Sequence, residues 1–149
     1  MVSAKGYDDL IMDHIKNARN FHALDGATHK ASGSNPLCGD ELAVYLKIDG
    51  DRIENVAFQC TCCGISMASS SIMTESVEGK SVAEAKALLL TMTGEINAGG
   101  SPSSHEGEPW RRAILETVRE FPARTRCAVL PWVTLGAALD NRQETVFVA

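Results

Sequence analysis

Apolar positions recur along the chain with two different periods. Between Tyr7 and Phe21, Leu10, Ile11, His14, Ile15 and Ala18 fall on one side at helical spacing, with Asp9, Asp13, Lys16 and Arg19 elsewhere. That pattern predicts an amphipathic helix. Leu24 to Pro36 is rich in Gly, Ser, Ala and Asn and reads as a loop. Leu42, Val44, Leu46 and Ile48 then alternate with Ala43, Tyr45 and Lys47, the period of a half-buried strand. Asp49-Gly50 signals a tight turn and Ile53 to Gln59 a returning strand, so a β-hairpin is predicted.

The second half of the chain reads as helical. Ile65 to Val77 is a run of small residues that permits close approach of another backbone. Ser81-Val82-Ala83-Glu84 is a capping box, and Val82, Ala85, Leu88, Leu89 and Met92 form the apolar face that follows it. Gly94 to Glu108 shows no periodicity and is expected to be an exposed connection. Pro109 suits the first position of a helix whose apolar side is Trp110, Ala113, Ile114, Thr117 and Val118, broken at Phe121-Pro122. A last helix is predicted from about Thr125 to Leu139, burying Val129, Trp132, Val133, Leu135 and Leu139. Pro131 fits that helix only if it falls in the first turn, where backbone N–H groups lack partners. Residues 1–6 and 140–149 are read as loose tails.

With 149 residues, a single domain (1–149) is expected, long enough to bury a core without staples. A net charge of −5 argues against a nucleic-acid footprint, which needs a basic stripe. No apolar run approaches the length of a membrane span, and the first residues lack the apolar segment of an export signal. A cytoplasmic location is expected, with neither nucleic acid nor membrane as partner.

Five cysteines without an export signal do not describe a disulfide framework. They are buried hydrophobes, metal ligands or nucleophiles. Cys38 stands two residues before Asp40, with Gly39 permitting a tight path that turns both toward one ion. Cys63, in Cys60-Thr61-Cys62-Cys63-Gly64, opens a predicted helix, where N–H groups and the dipole favour thiolate. Cys127 follows Arg124 and Arg126 at another helix start, with Arg119 upstream, and arginines favour thiolate and anionic sulfur. Three thiolates and a carboxylate at element boundaries suit a four-coordinate zinc site or an anchor for iron and sulfide.

Three motifs carry a family resemblance. Asn-Pro-x-Cys-Gly-Asp at 35–40, Cys-x-Ile-Ser-x-Ala-Ser-x-Ser at 63–71 and Val-Arg-x-Phe-Pro-Ala-Arg-x-x-Cys at 118–127 stand in the order of the SufU branch of the IscU/NifU N-terminal family. The chain resembles that branch from about Tyr7 to Leu139. The resemblance implies a compact α+β fold with a small antiparallel three-stranded sheet packed on several helices. It also implies that Cys38, Asp40, Cys63 and Cys127 form one site holding zinc, one per chain, with iron or a [2Fe–2S] cluster as the alternative occupant. The segment at 94–108 looks like the SufU-type insertion. Arg126 stands where IscU-type scaffolds have His, and the IscU chaperone signal Leu-Pro-Pro-Val-Lys is absent after Cys127.

The function implied is iron–sulfur cluster assembly by accepting persulfide sulfur from a SufS-type cysteine desulfurase. Cys38 is the expected acceptor, and a downstream assembly complex or apo-proteins the recipient. The alternative is a scaffold that builds a [2Fe–2S] cluster on the same ligands. Either way the chain acts as a sulfur acceptor or scaffold rather than as a small-molecule enzyme. A third reading leaves a structural zinc in an interaction module. Cys60 and Cys62 depart from the glycines usual in SufU proteins. They serve either as small residues near a strand end or as extra thiols at the site, and neighbouring thiols invite oxidation to a disulfide.

Overall fold

The structure, a computed structural model, describes residues 9–100 and 109–148. Tyr7, the 1–6 tail and most of the expected 94–108 insertion (101–108) lie outside the described residues.

Helix α1 (Asp9–Lys16) is followed by strands β1 (His29–Asn35), β2 (Asp40–Asp49) and β3 (Arg52–Thr61). Helices α2 (Gly64–Val77), α3 (Val82–Asn97), α4 (Pro109–Glu120) and α5 (Thr125–Leu139) come next, and a short β4 (Val146–Phe147) ends the fold. A 3-10 turn (Pro122–Arg124) leads into α5. The sheet order is β3-β2-β1-β4, with the first three strands antiparallel and β4 parallel to β1. Helices pack on the sheet: α5 lies against β1 and β2, α2 against β3 and α5. The α+β architecture expected from the sequence is therefore present, its antiparallel sheet extended by one short strand.

Several elements follow the sequence pattern closely. The hairpin turns at Gly50, whose φ of 64° suits glycine, and β2 buries Leu42, Val44 and Leu46. Ser81 caps α3 with the reciprocal Ser81–Glu84 bonds of a capping box. Trp132 is fully buried and stacks on Trp110, ring centroids 6.1 Å apart.

Four expectations need correction. The stretch from Leu24 to Pro36 is not all loop, because its second half forms β1. That strand alternates inward Ala31, Gly33 and Asn35 with half-buried neighbours. A Cβ on Gly33 would lie 2.0 Å from Thr134 Oγ1 of α5, so the strand must be built from small residues. The predicted first helix ends at Lys16, and the chain then enters a turn with Asn20 at φ 61°. Residues 94–97 belong to α3, where Glu95 is buried against Arg111 at 2.9 and 2.5 Å. The tail after Asp140 is not loose throughout: β4 pairs Gly33 with Val146 and Ser34 with Phe147.

Pro131 also departs from expectation. It is the seventh residue of α5, well past the first turn. A proline there gives no N–H to the carbonyl four residues back, that of Cys127. Ser66 Oγ of α2 supplies the donor instead, at 3.0 Å. Beside it Ser69 Oγ donates to Ala128 O at 2.7 Å and accepts from Trp132 Nε1 at 3.1 Å. The small residues of α2 thus bring its hydroxyls against the broken ladder of α5.

Candidate metal centre

At one end of the inner sheet face, Asn35 pairs with Asp40 across β1 and β2, and both side chains are buried. The intervening turn is held by Cys38 N–H donating to Asn35 O at 3.2 Å. Gly39 takes φ +73°, and a Cβ there would meet nothing within 4 Å, so its backbone angle rather than crowding favours glycine. This path leaves Cys38 exposed and Asp40 2% exposed, facing the helices.

Cys63 stands at the N-cap of α2, extended at φ −74° and ψ 169°. Its N–H donates to Asp40 Oδ1 at 2.9 Å, and Ser66 Oγ lies 2.9 Å from Asp40 Oδ2. Cys127, in the first turn of α5, is fully buried, and its Sγ lies 3.8 Å from Cys38 Sγ. Ligand atoms of Cys38, Asp40 and Cys127 all fall within 4.8 Å of one another. Cys63 is not in that close group. It joins the site through its bond to Asp40 and a thiol contact with Ser66 Oγ at 3.8 Å.

The two inner thiols divide one proton's preference between them. Interaction with the neighbouring Cys127 thiol lowers the Cys63 pKa to about 6 against the opposing effect of burial. The same interaction, with desolvation second, pushes Cys127 well above the ordinary thiol range. Of the two inner thiols, Cys63 is therefore the more acidic.

This donor set fits a soft or borderline metal: sulfur-rich, with one carboxylate, partly buried and open on the Cys38 side. Asn35 adds to the fit. Its Nδ2 lies 4.0 Å from Cys127 Sγ, while its buried Oδ1 has no hydrogen-bond partner among the described residues. Of the predicted arginines, Arg126 is exposed and Arg124 half-buried, one and three residues before Cys127.

Cys60 and Cys62 are joined by a disulfide, with Cα atoms 5.5 Å apart. In this state they do not replace Cys63 at the site. The sequence reading missed Ser66 and Asn35 as parts of the site. The available signals were Pro131 in mid-helix, which demands a donor for Cys127 O, and Asn35 at an inward strand position.

The model of the NifU-like N terminal domain matches residues 6–139. The chain is 35% identical over 129 residues to the zinc-dependent sulfurtransferase SufU of Bacillus subtilis, covering 87% of this chain and 86% of that protein. It is 37% identical over 136 residues to the iron–sulfur cluster assembly scaffold protein IscU of Streptococcus pyogenes, covering 91% and 83%. A crystal structure named as an iron–sulfur cluster assembly scaffold protein for the SUF system, from Fervidobacterium islandicum, superposes with TM-score 0.76 at 32% identity, covering 89% and 96%. The N-terminal part of a NifU-like protein from Brucella abortus shares the fold, with TM-score 0.77 at 24% identity.

Proposed function

The chain belongs to the NifU-like N-terminal domain family, and we propose that it serves iron–sulfur cluster assembly by accepting persulfide sulfur from a SufS-type cysteine desulfurase. The observation that carries this reading is the exposed Cys38 on its Gly39 turn, 3.8 Å from the buried Cys127 thiol. An incoming persulfide reaches Cys38 before any deeper thiol. The exposed Leu37 beside it offers an apolar contact for a protein carrying that persulfide.

Cys38 loses its thiol proton and attacks the outer sulfur of the partner's persulfide. A bond forms between Cys38 Sγ and that sulfur, the partner's S–S bond breaks, and its cysteine leaves as thiolate. Cys127, its Sγ 3.8 Å away, is placed to hydrogen-bond the new sulfur chain or to receive it in turn. Asp40 keeps the N-terminus of α2 in place through Cys63 N–H and Ser66, so the inner thiols hold position while the turn bearing Cys38 engages a partner.

Cys38, Asp40, Cys63 and Cys127 would hold one zinc ion per chain, which when bound keeps its thiols deprotonated at neutral pH. The similarity to a zinc-dependent SufU supports zinc over iron. The comparable similarity to an IscU scaffold supports the second reading, assembly of a [2Fe–2S] cluster as cargo on the same ligands.

The test is intact-mass analysis after reaction with the desulfurase and cysteine. The wild-type chain gains sulfur that reductant removes, and Cys38→Ser does not. Full loading of Cys38→Ser moves the acceptor to an inner thiol. No loading of either chain, together with a coloured cluster in anaerobically purified protein, replaces sulfur acceptance by the scaffold reading.

A further inference from the structure

The Cys60–Cys62 pair lies outside the proposed ligand set but at its border. Cys60 pairs across the sheet with Leu42, which is two residues from Asp40 and shares its inward face. Cys62 immediately precedes Cys63, so their Cα atoms lie about 3.8 Å apart. Both cysteines are half-buried, reachable by exchange yet shielded from bulk solvent on one side. One exposed residue, Thr61, separates them, and their sulfurs are bonded to each other.

Resting on the sulfur-acceptor reading above, we propose that Cys60 and Cys62 form a dithiol–disulfide couple that reduces sulfur accepted at the neighbouring site to hydrosulfide. The outer sulfur of a persulfide stands at oxidation state zero, and cluster building consumes sulfide. Two electrons are needed, and two thiols closing to one disulfide supply two.

In the first step the Cys62 thiolate attacks the outer sulfur of the site's persulfide. A persulfide forms on Cys62 and the site cysteine departs as thiolate, with no net redox change. In the second step Cys60 loses its proton and attacks Cys62 Sγ. The Cys60–Cys62 bond forms, the bond from Cys62 to the outer sulfur breaks, and that sulfur leaves as HS⁻ with the persulfide's proton. The thiols are oxidised and the sulfur is reduced. A dithiol reductant of the thioredoxin class resets the couple by exchange. The disulfide present in the structure is the oxidised end of this cycle.

The experiment compares fully reduced wild-type protein, freed of reductant, with Cys60→Ser and with the Cys60→Ser/Cys62→Ser double variant. Each is charged with desulfurase and cysteine, and released sulfide, bound sulfur and the Cys60–Cys62 peptide are followed together. Wild type should release a burst of about one sulfide per chain, matched by formation of the Cys60–Cys62 disulfide. Cys60→Ser should give no burst and trap a persulfide on Cys62. The double variant should give no burst and keep its persulfide on the site cysteines.

A parallel arm charges the same proteins chemically with sodium tetrasulfide. If only tetrasulfide loads sulfur, the desulfurase reading fails, and the burst in that arm still decides the couple. Sulfide release by the double variant equal to that of wild type, in either arm, overturns the proposal. So does a sulfur-loaded wild type whose Cys60 and Cys62 stay reduced.

Discussion

Ser66→Ala tests whether one hydroxyl joins the site to the backbone of α5. The buried Ser66 Oγ faces two acceptors, Asp40 Oδ2 at 2.9 Å and Cys127 O at 3.0 Å. It has a single proton, so its removal leaves one further buried acceptor unpaired, at a cost of about 2 kcal/mol. For a chain of this size that lowers the melting temperature by roughly 4–8 °C. It also shifts a urea midpoint down by about 1 M. Pro131→Ala restores an N–H four residues after Cys127. In that background the carbonyl has its own donor, and Asp40 keeps Cys63 N–H. The cost of Ser66→Ala should then fall to about 1 kcal/mol, the net worth of one hydrogen bond. The coupling between the two sites is therefore about 1 kcal/mol. Urea unfolding of chelator-stripped wild type, both single variants and the double variant, followed by far-UV circular dichroism, measures it. Additivity within about 0.3 kcal/mol would falsify the argument that Ser66 substitutes for the N–H that Pro131 lacks.

Two further outcomes are expected. Removing the metal with chelator should lower the melting temperature by roughly 8–16 °C when free metal had been a thousandfold above its dissociation constant. Acid should act likewise as the ligand thiolates take up protons, while circular dichroism at neutral pH still shows a folded apo-protein; a wholly unfolded spectrum would make the metal a structural staple. In the metal-free, reduced chain, alkylation of Cys63 should hold steady from pH 8 to about 7 and slow as pH falls through about 6. The downward shift of Cys63 brings stability that is present at alkaline pH and lost toward pH 6. The upward shift of Cys127 acts in the opposite sense and fades as pH rises, so labelling isolates Cys63 where melting curves would not. Cys127→Ala should return the Cys63 profile toward that of an ordinary thiol; an unchanged profile refutes Cys127 as the cause of the shift.

Elements whose burial is carried by large apolar side chains were legible in the sequence. The hairpin, the capped α3 and the Pro109 start of α4 follow directly from period, turn and cap chemistry. β1 was not, because its inward residues are Ala31, Gly33 and Asn35, whose small size answers to Thr134 across the interface and leaves no hydrophobic alternation. The burial of Glu95 depends on Arg111, sixteen positions away, a pairing that no local pattern signals. The site divides in the same way. Cys38, Asp40, Cys63 and Cys127 stood out by residue type and by motif. Ser66 and Asn35 are common polar residues whose importance comes from what the tertiary fold sets opposite them.

The short strand β4 bears on how anything can approach Cys38. β1 leads straight into the turn that carries this thiol, and an open strand edge there would be a template along which an extended segment could pair. That edge is occupied at both ends. Asn141 Oδ1 accepts from Lys30 N–H at 3.2 Å, and Val148 N–H donates to Ser34 O at 3.0 Å, with Val146 and Phe147 in register between them. A visitor is thus denied strand addition to β1 and, on this side of the sheet, must read the tip of the turn itself, where Leu37 and Cys38 project. Stripping residues 145–148 would open a second route, one that selects for backbone shape rather than for sulfur.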